Sequence, residues 1–258
     1  MNGFEQLTSK INQAKDLDFG DIINETIELF KQVWLKGFLV ILLIMVAAMV
    51  IGGLFALTGL VDNANYFILY KQLETEELGW FFLKNTLFGI PQTILISTIT
   101  IALTAAFYRI CNAVVTKKNV DDNYFYFFNK PYLSKVFMLG IIYTGIATLA
   151  QLLLLIPYIY AFIPLSFFAV ILANNPNLSE TEIVKASFAL GNKKWGISFG
   201  AMFVAGIMAA LGVIGCGIGL LFTLSIAYLP LYVIYKNAIG IDNTDEIDDI
   251  GTSEESNY

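Results

Sequence analysis

Five hydroxyl side chains within one apolar stretch are the best candidates in this sequence for a functional site. Their spacing of 7, 4, 3 and 4 residues places them on one face of a helix. Small hydroxyls let membrane helices approach closely and hydrogen-bond across, or bond back to carbonyls of their own helix. Alternatively, the same stripe lines a polar groove for a solute or a lipid headgroup. The five residues are Thr86, Thr93, Ser97, Thr100 and Thr104.

Little other side-chain chemistry is present. The chain has no histidine, which removes the commonest general base and metal ligand at neutral pH. Cys111 and Cys216 are too few for a disulfide framework or a thiolate metal site, so we interpret them as small buried apolar residues. No ionisable side chain lies inside the long apolar stretches, where a proton relay or an ion pump would need one. We therefore expect no catalytic residue, no cofactor and no metal, and predict that the protein is not an enzyme.

The composition indicates that lipid is the solvent for most of the chain. Of its 258 residues, 57% are hydrophobic and 14% are charged, and the mean hydropathy is +0.69. A soluble domain is about 45–50% apolar and about 25% charged. The net charge of −6 and the pI near 4.7 provide no basic footprint, which argues against a nucleic-acid partner.

Charge-free runs predict an all-α polytopic membrane protein with six transmembrane helices. One crossing needs about 20 apolar residues. Two runs are long enough for two crossings, and we place their turns at Ile156-Pro157, where the residue before proline leaves the helical conformation, and at Gly215-Cys216-Gly217. The predicted membrane domain is 37–236, with spans at about 37–60, 86–108, 136–156, 157–173, 196–214 and 217–235.

Lysine and arginine are distributed very unevenly between the two sides of this topology. Thirteen lie on the side that carries both termini, and two, Lys71 and Lys84, lie on the other side. Because short cytoplasmic segments are enriched in basic residues, we predict that both termini are cytoplasmic. The one long external connection is then Val61 to Lys84, which carries Glu74, Glu76 and Glu77.

Amphipathic segments precede the first and the fifth span. Residues 17–34 and 178–195 have apolar residues at helical spacing, and each segment ends in a tryptophan, Trp34 or Trp195. We interpret these segments as helices at the membrane interface and the tryptophans as interfacial anchors. Ser179 and Glu182 open the second segment as a capping box. The two segments match at several positions with an offset of 161 residues, which indicates either an internal repeat or convergent anchoring. An aromatic run, residues 124–128, precedes the third span.

These segments carry a resemblance to a known family. LDFGDIINETIELFKQVW before the first span, ETEIVKASFALGNKKWGISFG before the fifth and the following GVIGCGIG resemble the membrane domain associated with bacterial glycerophosphodiester phosphodiesterases. They are also similar to related six-span bacterial membrane proteins of unknown function. The resemblance implies a multi-pass protein of the bacterial cytoplasmic (inner) membrane. In the two-part family members a soluble domain with histidine and acidic residues around a metal supplies the catalysis, and no position here corresponds to it.

The tail, residues 237–258, contains seven acidic residues and no basic one. We predict that it is disordered, either as a solvated end that lipid repels or as a docking strip for a basic cytoplasmic partner.

The predicted function is that of a non-catalytic membrane module, a scaffold, assembly or lipid-interacting protein working through its cytoplasmic interface, with lipids and other membrane proteins as partners. The alternative is a permease for a small neutral or amphiphilic solute. A closed, dry interior would argue against the permease, and a polar cavity beside Thr93 to Thr104 would argue against a purely structural module.

Overall fold

A computed structural model describes residues 3–59, 75–118, 122–153, 155–215 and 218–241, and no strand occurs among them. Six stretches are long and apolar enough to cross a membrane, which confirms an all-helical chain with six candidate membrane helices. They are Phe19–Leu57, Ile90–Thr116, Lys130–Leu152, Ile156–Asn174, Trp195–Val213 and Gly219–Ile239.

Several of these stretches are interrupted, so that the described residues form eleven α-helices and three 3-10 turns. The helices are α1 (Gly3–Gln13), α2 (Phe19–Leu57), α3 (Thr75–Phe88), α4 (Ile90–Thr116), α5 (Lys130–Leu152), α6 (Leu155–Ser166), α7 (Phe168–Asn174), α8 (Glu180–Lys193), α9 (Trp195–Ala210), α10 (Ile218–Thr223) and α11 (Leu229–Ile239). The 3-10 turns are Tyr126–Phe128, Leu211–Gly215 and Leu224–Tyr228.

Helix α2 joins the first amphipathic segment to the first span without a break. Asp18 caps it by accepting a hydrogen bond from the Asp21 amide at 3.0 Å. The helix then runs for 39 residues, about 58 Å at 1.5 Å per residue, which is nearly twice the thickness of a hydrocarbon layer. From residue 19 onward, the segment predicted at 17–34 therefore forms the start of a long helix rather than a separate interfacial one.

The second span is predicted to begin at about residue 86, but its helix begins at Ile90. A break at Gly89 separates α3 from α4, and Pro91 lies in the first turn of α4, where a missing N–H is tolerated. Thr86 therefore lies on α3, and the prediction that all five hydroxyls share one helix is wrong for this residue. The external connection predicted from Val61 also contains helix α3, while its residues up to Glu74 lie outside the described part.

The turn predicted at Ile156-Pro157 is also displaced. Helix α5 ends at Leu152 and α6 begins at Leu155, so Pro157 occupies the first turn of the following helix. Further along, Pro164 lies inside α6, and the helix breaks before Phe168. The fourth span is therefore a bent pair, α6 and α7, because a proline in a helix interior removes a backbone hydrogen bond.

The last two spans meet through glycine. A Cβ at Gly212 would lie 2.7 Å from the Gly219 carbonyl carbon, so the two backbones approach closely only because both residues lack a side chain. The turn predicted at Gly215-Cys216-Gly217 falls between them, with Cys216 and Gly217 outside the described residues. The sixth span then consists of α10, a 3-10 turn and α11, with Pro230 in the first turn of α11.

Segments that the topology places on one side of the membrane contact each other at one end of the bundle, which we call the lysine-rich end. Lysine ion pairs and asparagine hydrogen bonds join them there. The bonds are Lys36 to Asp122 (2.8 Å), Lys236 to Glu25 (2.7 Å), Asn112 to Asn174 (2.9 Å) and Asn175 to Tyr235 (2.9 Å). A chain that crosses a bilayer repeatedly returns to the same side after every second crossing. Contacts among these segments at one end of the bundle are therefore what six consecutive crossings would produce.

The densest packing also lies toward this end. Residues 101–108 of α4 are buried on every side, and so are Phe167–Ala173 around α7. At the opposite end α2 projects apolar side chains outward, and Leu57 is 86% exposed. Apolar surface of this kind is stable where lipid replaces water.

Candidate functional site

The middle of the hydroxyl stripe packs tightly against α5. Ser97 is buried, and its hydroxyl accepts a hydrogen bond from the Thr144 hydroxyl at 3.3 Å. Thr98 donates to the Ile94 carbonyl at 2.8 Å, and a Cβ at Gly140 would lie 3.1 Å from the Thr98 Cα. Here small side chains allow close helix contact, as the packing interpretation of the stripe requires.

One end of the stripe lines a polar cavity of about 270 Å³ between α3, α4, α5 and α6. Thr86 and Thr93 contribute to its wall, although the Thr93 hydroxyl donates to the Gly89 carbonyl at 3.0 Å. Other amide and hydroxyl side chains in the wall come from α3, α5 and α6 and include Asn85, Thr148, Gln151 and Tyr158. The full lining is Phe82, Asn85, Thr86, Gly89, Thr93, Tyr143, Ala147, Thr148, Gln151 and Tyr158.

The other end of the stripe lines a second cavity of about 320 Å³, which we call the inner cavity. Thr100 and Thr104 form part of its wall, and most of the remaining wall is apolar. Its volume lies near the lower limit of small-molecule sites, which are about 300–1,000 Å³ and mostly apolar with a few polar groups. The lining is Ile41, Thr100, Ile101, Thr104, Tyr143, Phe162, Leu165, Ser166, Ala169, Met202, Leu224, Ala227, Tyr228 and Leu231.

Thr104 is the unusual member of this wall. Its side chain is 4% exposed, and its hydroxyl has no hydrogen-bond partner in the described structure. By contrast, the nearby Ser166 hydroxyl donates to the Phe162 carbonyl at 2.7 Å. A buried polar group without a partner costs about 1–3 kcal/mol. The hydroxyl oxygen is itself covered, so a ligand hydroxyl or carbonyl in the inner cavity would supply the missing partner after a change of the Thr104 χ1 rotamer.

Tyr143 separates the two cavities, because its side chain lines both. Its ring contacts the edge of Phe168, with the ring centroids 6.2 Å apart and the planes at 81°. The neighbouring Thr144 makes the hydrogen bond to Ser97 that holds α4 against α5. A polar and a mostly apolar compartment therefore meet at one aromatic side chain.

A groove of about 440 Å³ on the outer, apolar surface of the helices adjoins the inner cavity. Phe162, Met202 and Ala227 belong to the walls of both. The outer part of the groove is formed by α9, where Phe203 and Ile207 are exposed. We call this surface, lined by Phe162, Phe199, Met202, Phe203, Gly206, Ile207, Ala210 and Ala227, the α6–α9 groove.

The two predicted anchors lie in different settings. Trp34 lies in the middle of α2 with its ring centroid 6.0 Å from that of Phe222. Trp195 begins α9, and its indole N–H donates to the Tyr160 carbonyl at 3.1 Å. Trp195 thereby fixes the junction between α8 and α9 against α6.

The lysine-rich end holds contacts that the sequence pattern did not predict. The Arg109 guanidinium lies 3.2 Å from the centroid of the Tyr126 ring, a cation–π contact. Lys193 donates to the Ile11 carbonyl in the last turn of α1 at 2.9 Å, and Lys194 donates to the Lys15 carbonyl just beyond that helix. Partial burial and the charge of Asp122 raise the pKa of Tyr124 to about 12.

Apart from the hydroxyl stripe, the residues that line the cavities had no signal in the sequence. Tyr143, Phe162, Met202 and Ala227 are apolar or aromatic residues within apolar spans, where such residues are expected for packing alone. Their role depends on the bend between α6 and α7 and on the break in the last span, which periodicity does not specify.

Comparison with protein-family models, with curated proteins and with solved structures finds no match to the chain. The resemblance to the phosphodiesterase-associated membrane domain therefore stays a prediction from the motif residues.

Proposed function

We propose that the chain is a non-catalytic, lipid-interacting module of the bacterial cytoplasmic membrane that holds an amphiphilic molecule in its inner cavity. In this proposal both termini are cytoplasmic, and the lysine-rich end faces the cytoplasm. If the protein acts as a scaffold or assembly factor, the lysine-rich end would contact other membrane proteins, or the acidic tail would bind a basic cytoplasmic partner.

The observation that carries the proposal is the inner cavity with its buried Thr104 hydroxyl. A purely structural module favours a filled interior, because each void forfeits packing and each unpaired polar group costs free energy. The space beside Thr104 is instead about 320 Å³ and adjoins a lipid-facing groove. A bound amphiphile would fill the space with apolar groups and pair the hydroxyl.

Native mass spectrometry of the gently solubilised protein tests this proposal. We expect the wild-type protein to retain a bound lipid-like molecule. Ala169 is buried and lines the cavity, so Ala169→Leu should fill the space and displace that molecule. Ala227→Leu, at the wall shared with the α6–α9 groove, provides a second filling variant.

The matched control is Gly145→Leu, which adds volume at an exposed position where a Cβ would contact nothing within 4 Å. This variant should retain the same molecule as the wild-type protein. Retention by both filling variants, or a wild-type protein that carries no bound molecule, would contradict the proposal.

A permease for a small neutral solute is the second candidate, and the polar cavity on the far side of Tyr143 favours it. In proteoliposomes, wild-type protein should then raise glycerol flux above that of protein-free vesicles. Tyr143→Ala should raise it further, because this change removes the wall between the cavities. Equal flux in all three preparations would reject the permease.

A further inference from the structure

We infer that the inner cavity takes an uncharged, single-chain amphiphile whose hydroxyl or carbonyl group hydrogen-bonds to Thr104 and whose chain leaves laterally through the α6–α9 groove. This inference rests on the proposed function. It adds the ligand class and the path by which the ligand exchanges with the membrane.

The charge of the ligand follows from the walls. Among the described residues that line the inner cavity, the polar cavity and the α6–α9 groove, none carries a charged side chain. An ionised headgroup buried there would have no counter-charge, and burying an unpaired charge in an apolar site is very costly. Fatty acids, phospholipids and alkylammonium ions are therefore disfavoured relative to neutral amphiphiles.

The position of the polar group follows from Thr104. The Thr104 side chain is more than nine-tenths buried and lines the cavity, and its hydroxyl has no partner in the described structure. The hydroxyl oxygen is itself covered, so a change of the χ1 rotamer would turn it toward a ligand. A hydroxyl group both donates and accepts hydrogen bonds, so either a ligand hydroxyl or a ligand carbonyl can pair with it. The cavity wall around it is otherwise mostly apolar, which suits the first carbons of a hydrocarbon chain.

The direction of the chain follows from the shared wall. Phe162, Met202 and Ala227 are the residues that line both the inner cavity and the α6–α9 groove. Met202 is unbranched and flexible, so a change of its rotamer would open the wall at small cost. Beyond it the groove faces lipid beside the exposed Phe203 and Ile207. Ligand sites range from about 300 to about 1,000 Å³, and this cavity of about 320 Å³ is at the small end of that range. Its size therefore favours a ligand with one chain over a lipid with two.

Photo-crosslinking in phosphatidylcholine nanodiscs tests the inference with the full chain. The probe is a monoacylglycerol that carries a diazirine on its acyl chain, and the crosslinked residues are mapped by mass spectrometry. We expect saturable labelling near Phe162 and Met202. Unlabelled monoacylglycerol should compete at least about tenfold better than a fatty acid or an alkyltrimethylammonium ion of equal chain length.

Thr104→Val removes the hydroxyl while keeping the shape of the side chain, and it should weaken probe binding roughly three- to tenfold, the effect of one lost hydrogen bond. Thr104→Ser keeps the hydroxyl and should bind nearly as the wild-type protein does. Thr93→Val, in the polar cavity, is the matched control and should leave binding unchanged. Ala227→Phe should block the lateral path and remove labelling at Met202.

Two results would overturn the inference, and they differ in what they say about the proposed function. Saturable labelling with equal competition by charged chains, or with no effect of Thr104→Val, would reject the neutral ligand class but keep an amphiphile in the cavity. Labelling that does not saturate and falls on Phe203 and Ile207 alone would show surface lipid only, and would reject both.

Discussion

Thr98 and Thr104 show that one residue type can close a helix interface or leave it open, depending on the residue opposite. Thr98 faces Gly140, so α5 approaches until the Thr98 backbone would be 3.1 Å from an added Cβ. Thr104 instead lines the inner cavity together with the larger side chains of Phe162 and Leu165. Helical spacing predicted the face on which the hydroxyls lie. The distance to the opposing helix depends on side chains far away in sequence, so the spacing could not predict the cavity.

Gly140→Ala should lower the free energy of unfolding by about 1–3 kcal/mol, the usual cost of overpacking. The added methyl would clash with the Thr98 hydroxyl and crowd the α4 backbone. Thermal unfolding in a mild detergent measures the effect. Gly145→Ala is the control on the same helix, because a Cβ there meets nothing within 4 Å. Adding Thr98→Ala to Gly140→Ala should recover part of the loss, and full stability of Gly140→Ala alone would disprove the contact.

Glu182 should make the stability of the protein depend on pH. Its carboxylate accepts hydrogen bonds from the Ser179 amide at 2.8 Å and the Ser179 hydroxyl at 2.7 Å, which lowers its pKa below the usual value of about 4.5. A lowered pKa in the folded state adds stability above pH 4.5 that disappears as the pH falls through the folded pKa. The wild-type protein should therefore unfold at a higher temperature than Glu182→Gln near neutral pH, and the difference should close in acid. An equal difference at every pH would be evidence against these bonds, and Glu180→Gln is the control in the same turn.

At the scale of elements, α8 holds the N-terminal helix as well as leading into the fifth span. Its capping box was predicted from sequence and is present. The helix α1 was not predicted, although Leu7 and Ile11 are four residues apart and both are buried. Eleven mostly polar residues, about three turns, are a short signal beside the long apolar runs. What fixes α1 is its packing against α8 and α11 together with lysines about 180 residues away.

Helix α9 shows the same limit of sequence patterns. Many of its residues are small, which is typical of close helix packing, and Ala201, Ala205 and Ala209 are indeed buried, one turn apart. Gly196 and Gly206 have the same character in the sequence, yet a Cβ at either would meet nothing within 4 Å. Which of several small residues faces the bundle is determined by the rotation of the helix, which follows from packing.

Lys194→Met should loosen α1 without disrupting the membrane helices. The Lys194 side chain is 4% exposed, and its amine donates to the Lys15 carbonyl just beyond the carboxyl end of α1. A cation just past the carboxyl end of a helix interacts favourably with the helix dipole, and the buried amine pairs a carbonyl of the segment that follows α1. Hydrogen exchange of the amides in Gly3–Gln13 should become roughly tenfold faster, as expected for a loss of about 1.4 kcal/mol.

The control for this change is Lys185→Met, which removes an exposed lysine from the middle of α8. Its exchange rates in α1 should match those of the wild-type protein. The unfolding temperature of both variants should remain close to the wild-type value, since the interfaces among α4, α5 and α7 are untouched. Unchanged exchange in Lys194→Met would mean that apolar packing alone holds α1.

At the scale of the whole molecule, the apolar runs predicted the helical class and the number of long apolar helices, because crossing lipid imposes a length and a composition on each span. The breaks at Gly89 and Phe167 and within the last span were missed or displaced, since an apolar run has the same composition on both sides of a bend. The cavities lie beside two of these bends, at Gly89 and between α6 and α7. The parts of the fold that sequence predicted least well are therefore those that form the candidate site.

The orientation of the molecule can be tested with single cysteines, after Cys111 and Cys216 are replaced by alanine. The positive-inside rule requires the lysine-rich end to face the cytoplasm and α3 to begin on the outside. In intact cells a membrane-impermeant maleimide should label Glu77→Cys, whose side chain is exposed near the start of α3. It should label Lys185→Cys, on the exposed face of α8, only after the membrane is permeabilised. The reverse pattern would invert the molecule and place the acidic tail outside. Labelling of both positions in intact cells would mean an even number of crossings between them instead of three, so that the six apolar helices would not all span the membrane.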